Sequence, residues 1–276
     1  FYGSEKVPEQ LFGKETTELD AFYQAVNTIA PGPYQLLVDL LDSWRPFAKV
    51  HEWTLPDGFD ARVKVMTKVK NVKIEVDELD HHTFNYEYYV NEGKETGKSN
   101  AANAIHSIDS YILRNLIRRC SYDPDMVKQA FESLTTELLA RELGNNSVNK
   151  PISDKALSRY YELYQKTGIA DIVALPYLDK DDLRKLDQAY VEKLYDEAAH
   201  MLTYKPFSVV TIHDCFATHP NNMNYLREQY IRIFMDLADS TVINHILSQL
   251  YEEPVTVHKQ SSNLSQKIAQ SNYALC

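Results

Sequence analysis

The chain has 276 residues, enough for one large or two smaller domains with a sizeable core, and its 44% hydrophobic and 25% charged content is that of an ordinary globular protein. A formal net charge of −10 argues against a uniformly basic nucleic-acid binder, because phosphate contacts need Lys and Arg, and shifts attention to local basic patches. No apolar run is long enough to span a bilayer, and the three cysteines, Cys120, Cys215 and Cys276, have no metal-type or Cys-x-x-Cys spacing, which fits a reducing compartment.

The chain opens Phe1-Tyr2-Gly3-Ser4, with a turn signal but no initiator Met and no signal-peptide pattern. This points to a chain cut from something longer. A helix is predicted from about Thr17 to Thr28, broken by Pro31-Gly32-Pro33. A second, apolar helix runs from about Tyr34 to Trp44 and stops before Pro46.

Next comes His51-Glu52-Trp53-Thr54-Leu55-Pro56-Asp57-Gly58-Phe59. Pro-Asp-Gly is a turn, since Pro presets φ and Gly accepts positive φ. From Arg62 the chain alternates: Arg62, Lys64, Lys68 and Lys70 face one way, Val63, Val65 and Val69 the other. With a return strand rich in Phe and Tyr, about Thr83 to Val90, this reads as a β-hairpin over about residues 60–92 with one basic face. Such a face is often merely solvated. In an acidic protein, four cations in one row also suit a phosphate-facing ribbon. At the hairpin tip, Asp80-His81-His82 has side chains of the kind that hold Mn2+ or Zn2+ in DHH-type phosphoesterases. The further Asp motifs of that class are missing, and the triplet reads as a turn.

Gly97 to Asn103 is small and polar and reads as a loop. A helix follows from Tyr111 to Cys120, with Ser107 or Asp109 as its N-cap and His106 just before it. Residues 121–203 are helical. Asp123-Pro124 starts one helix and Gly144 closes it; Ser153 starts another, ending near Gly168; Asp179 starts a third, with Leu183, Leu186, Tyr190 and Leu194 as its core stripe.

The stretch Phe207–Pro220, FSVVTIHDCFATHP, reads as a short buried strand ending in His213-Asp214, a sharp turn, and then a helix beginning at Asn221-Asn222 with Met223, Leu226, Tyr230, Ile233 and Leu237 on one face. A carboxylate at the end of an apolar strand is costly unless it is paired or binds a metal. A lone His-Asp pair more often fixes a turn. The remaining segments shift the balance.

Four colinear segments resemble the single-subunit RNA polymerases of phages and mitochondria. Tyr2-Gly3-Ser4 is similar to the end of that family's motif B, and His51–Phe59 to its His-x-Trp…Pro-Asp-Gly-Phe segment. Ile105-His106-Ser107-Ile108-Asp109 is similar to its His-Ser-x-Asp segment, and Thr211–His219 to motif C. The resemblance touches both ends of the chain but not its middle. It implies an α+β fold: the fingers and palm of a right-hand polymerase, with an antiparallel palm sheet surrounded by helices. Residues 1–105 would be the end of the fingers, 106–120 and 204–276 the palm, and 121–203 a helical insertion.

The resemblance also implies roles. Asp214 is the motif C carboxylate that binds Mg2+, and His213 supports its turn. Tyr2 and Gly3 contact the nucleotide, with Tyr2 favouring ribonucleotides. His106 lies at the nascent base pair, and the hairpin with Arg62, Lys64, Lys68 and Lys70 takes the place of a promoter-reading specificity loop. The motif A aspartate and the motif B Lys and Arg would precede Tyr2, so a second polypeptide or a missing front half must supply them. DNA template, nascent RNA, NTPs and an accessory DNA-binding factor are the implied partners. The implied setting is the cytoplasm of an infected bacterium, with the mitochondrial matrix as the alternative. Rival readings are a family-A-like DNA polymerase fragment, a metal-dependent phosphohydrolase and a non-catalytic assembly subunit.

Overall fold

The computed structural model describes residues 6–65, 68–90, 92, 98–145, 147–212 and 215–271. The elements in chain order are α1 (Lys6–Phe12), α2 (Thr17–Ile29), α3 (Pro31–Asp42), β1 (Val50–Thr54), β2 (Asp60–Lys64), β3 (Lys68–Val76), β4 (His82–Val90) and α4 (Lys98–Cys120). Then follow α5 (Pro124–Glu142), α6 (Lys155–Thr167), α7 (Lys180–Leu183), α8 (Gln188–Met201), β5 (Val210–Ile212), β6 (Cys215–Ala217), α9 (Met223–Asp239), α10 (Val242–Tyr251) and α11 (Leu264–Gln270). The class is α+β: mostly helix, with three two-stranded sheets, β1-β2, β3-β4 and β5-β6. No helix among the described residues is long and apolar enough to cross a membrane.

The chain divides into two units, one of Phe1–Trp53, Ala61–His106 and Leu247–Pro254, the other of Thr54–Asp60, Ser107–Ile246 and Val255–Cys276. In the first, α3 starts at Pro31 rather than after the Pro-Gly-Pro run. Pro is tolerated in a helix's first turn, where its missing N–H would have no partner anyway. The β1-β2 hairpin alternates as its sequence does: His51, Trp53, Ala61 and Val63 point inward, and Glu52, Arg62 and Lys64 outward.

The β3-β4 ribbon pairs antiparallel from Lys68 opposite Val90 to Val76 opposite His82. The single basic strand expected over Arg62–Lys73 is therefore two strands in two sheets, Arg62 and Lys64 on β2 and Lys68 and Lys70 on β3. Period-2 alternation continues across residues 66 and 67, which lie outside the described residues, so it carries no sign of the change of partner.

The second unit is built on a helical core in which Val127, Leu134, Leu157, Leu186, Val191 and Leu194 are fully buried. Each such aliphatic side chain contributes about 1.5–3 kcal/mol relative to exposure. The stripe Leu183, Leu186, Tyr190, Leu194 is core, as its spacing predicts. It spans two helices, however. Asp187 caps α8 by accepting from Tyr190 N at 2.7 Å, which ends the preceding turn. Likewise Asp154, not Ser153, caps α6, accepting from Leu157 N at 2.8 Å.

Helix α4 begins at Lys98 and runs unbroken to Cys120. The loop expected up to Asn103 is helix from residue 98, and Ser107 and Asp109 are helix interior, not caps. Ala101, Ala102 and Ala104 are strong helix formers and no Gly or Pro interrupts them. Asn100, which reads as a loop residue, is buried and donates to Ser43 Oγ at 3.3 Å.

Candidate functional site

The described part of the candidate site is a frame of turns and helices in the second unit. Leu55 N donates to Phe59 O and Gly58 N to Leu55 O, both at 2.9 Å, closing the Pro56-Asp57-Gly58 turn. Gly58 has φ +78, the left-handed region that favours glycine, and a Cβ there would press on the Tyr160 ring at 3.1 Å.

Asp57 is buried and takes both oxygens onto α4. Arg114 donates through Nε at 2.6 Å and Nη2 at 3.0 Å, and Arg118 through Nη1 at 3.1 Å. Burial alone would raise this carboxyl's pKa; the hydrogen bonds and charges of the two arginines outweigh it and hold it below the usual carboxylate range. Arg114 also lies over the Phe59 ring, 4.3 Å from its centroid. With its oxygens taken by guanidinium donors, Asp57 is an anchor for the turn rather than a metal ligand.

The same helix carries a second polar cluster. Arg119 is buried, donates to Asn115 Oδ1 at 2.6 Å and to Asp236 of α9 at 2.9 Å, and lies 2.8 Å from Glu197 of α8. Asn115 in turn donates to the buried Asp171 at 2.6 Å. Sequence reading passed over Arg114, Arg118 and Arg119. Nothing local marks them: α4 also carries Asn100, Asn103, His106, Asp109 and Asn115, so arginines on it read as an ordinary solvated face.

The Thr211–His219 segment runs through the β5-β6 ribbon, where Val210 pairs with Ala217, Thr211 with Phe216 and Ile212 with Cys215. His213 and Asp214 fall outside the described residues; the strands either side of them are described. Phe216 packs on Tyr230 of α9 with ring centroids 5.5 Å apart. Thr218 Oγ1 donates to Ser208 O at 2.9 Å across the ribbon's base. Tyr204 stacks on Tyr225 at 4.5 Å.

The strand expected to be buried is not. Val210 is 59% and Ile212 67% exposed, so their side chains lie on a face of the two-stranded ribbon that is turned to solvent. The buried face of α9 is Tyr225, Leu226, Gln229 and Ile233, while Met223 is exposed. Gln229 is drawn inward by His200, 2.8 Å from its Nδ1.

The other site candidates lie elsewhere. His106 belongs to the first unit, on the exposed side of α4 and within the helix rather than before it. Tyr2 and Gly3 lie outside the described residues. Of the four cations, Arg62 pairs with Glu52 at 3.4 Å, and Lys68 and Lys70 both approach Glu92, whose acidity the hydrogen bond from Lys70 increases.

The ribbon tip turns through Asp80 and His81, both at positive φ. His81 Nδ1 lies 2.8 Å from Glu75 and 3.3 Å from Asp77. This exposed trio, rather than Asp80-His81-His82, is the cluster of ligand-type side chains found among the described residues. Its mixed nitrogen and oxygen donors do not suit Mg2+, which takes oxygen ligands. Between Phe207 and Pro220 the sequence holds one carboxylate, Asp214, so this stretch supplies half of what a two-ion site requires. No protein-family model matches the chain, and no curated protein matches it.

Proposed function

We propose that the chain is the C-terminal fingers-palm half of a DNA-directed RNA polymerase, completed either by a partner polypeptide or by a front half of the same chain. The observation that carries this reading is the colinear set of four segments ending in Thr211–His219. The paired strands β5 and β6 support it: the segments on either side of His213-Asp214 in the sequence form a short antiparallel ribbon braced on α9. Asp214, with the aspartate of the other half, would hold two Mg2+ ions that activate the RNA 3′-hydroxyl and stabilise the departing pyrophosphate. Tyr2 and Gly3 would meet the incoming nucleotide, His106 the nascent pair, and Arg62, Lys64, Lys68 and Lys70 nucleic acid.

Native and denatured mass spectrometry of the purified particle tests the composition: motif A should arrive on a second polypeptide that travels with this chain or on a longer form of the chain itself, and a particle holding neither counts against the reading. In the complete enzyme Asp214→Ala should abolish template-dependent RNA synthesis without loss of assembly. Synthesis that survives the substitution would sink the assignment.

A further inference from the structure

The β3-β4 ribbon sorts its side chains by chemistry. Residues directly opposite one another share a face. One face therefore carries the pairs Ile74–Phe84, Val72–Tyr86 and Lys70–Tyr88, and Lys68 continues it. The other carries Asn71–Glu87, Lys73–Asn85 and Glu75–Thr83, with Tyr89.

No carboxylate falls among the paired positions of the first face; Glu92, just beyond them, pairs with both of its lysines. Phe84 is 51% and Tyr86 54% exposed, and the Tyr86 and Tyr88 rings are nearly parallel, with centroids 5.9 Å apart and 20° between planes. Such an area of aromatic surface facing water calls for an occupant. Flat rings in a row beside two lysines, with the one anion at hand already seated on those lysines, suit one class of ligand: unstacked bases on their phosphate backbone.

We propose that this face seats an unpaired nucleic-acid strand, with Phe84 and Tyr86 stacking on bases and Lys68 and Lys70 meeting phosphates. The proposal rests on the polymerase reading for the strand it meets in the cell. Glu92, which now holds both lysines, is the anion that a phosphate displaces. A duplex hides its base faces and has no use for exposed rings, so the ribbon prefers single strands.

The test is fluorescence anisotropy of the full chain with labelled oligothymidylate, free and annealed to its complement. Free oligothymidylate should bind more tightly than the duplex. Phe84→Ala and Tyr86→Ala should each weaken it about tenfold, while Tyr89→Ala on the opposite face leaves it unchanged. Lys68→Gln with Lys70→Gln should lower affinity and flatten its salt dependence by about two phosphate contacts, and Glu92→Gln should tighten it.

Circular dichroism of each variant shows whether the fold is kept; Phe84→Leu and Tyr86→Leu, which keep bulk without a flat ring, are expected to weaken binding as alanine does. Equal binding of the duplex, or equal effects on the two faces, overturns the proposal. It is also overturned if the alanine variants lose a protein partner while keeping oligothymidylate, for the face is then a protein seat. RNA synthesis by the reconstituted complex reports separately: an inactive complex whose ribbon binds oligothymidylate in this way sinks the polymerase reading alone.

Discussion

Asp57 holds two arginines at once, so its removal leaves two charges facing a turn that no longer answers them. Arg114 and Arg118 keep some exposure, and water can partly solvate them. Asp57→Asn should therefore cost about 2–3 kcal/mol rather than the full penalty of a buried orphan charge. The shift in urea midpoint at constant slope measures it. A different kind of prediction attaches to His245. Burial, helped by the nearby charge of Lys166, pushes its pKa down to about 4 from an ordinary 6.5. The folded state thus prefers the neutral ring, and the unfolded state binds its proton first as pH falls. Stability from this residue is complete above pH 6.5 and is lost between 6.5 and about 4. His245→Asn should show a shallower fall in urea midpoint across that window than the parent chain.

Helix α4 is the element whose extent changes most between sequence and structure, and it offers a direct test. Ala102→Pro would be harmless in a loop. In a continuous helix it removes one hydrogen bond and clashes with the preceding turn, costing about 3 kcal/mol or more, visible as lost helical dichroism and a lower melting temperature. What sequence revealed at this scale was what local chemistry dictates: the Pro-Asp-Gly turn, the Asp123-Pro124 helix start, the Gly168 helix end and the stripe through Leu194. What it hid depended on partners far along the chain. Asn100 reads as a loop residue until Ser43 is beside it. The alternation from Arg62 to Lys70 looks like one strand until β2 is seen to pair with β1 and β3 with β4. Helix α10 was missed because Val242–Tyr251 follows a run that already read as one helix, and only Ser240-Thr241 separates the two. At the candidate site the motifs were legible as residues, but the arginines that fix the Asp57 turn were not, since nothing local marks a charge as buried.

Across the second unit, Arg119 ties α4 to α8 through Glu197 and to α9 through Asp236, and α9 follows the β5-β6 ribbon in the chain. Arg119→Met fits the space poorly as a charge partner and leaves two carboxylates with less compensation, so a loss of about 3–5 kcal/mol is expected. If the unit behaves cooperatively, that loss should appear as one shifted unfolding transition monitored by fluorescence and by dichroism alike.

The helical layer of that unit leaves the chain after Cys120 and returns before Phe207, and its two ends meet. Phe207 N donates to Cys120 O at 2.8 Å, and the Tyr122 hydroxyl reaches the carbonyls of both Met201 and Tyr204, at 2.5 and 2.6 Å. A polypeptide excursion whose ends meet adds little closure entropy for its length, and the register that sets Val210 opposite Ala217 lies on the far side of the neck. The layer is still bound to its surroundings, for Glu197 and His200 of α8 meet α4 and α9. A lineage could therefore lengthen or trim the loops between its helices, while α8 has to keep its place.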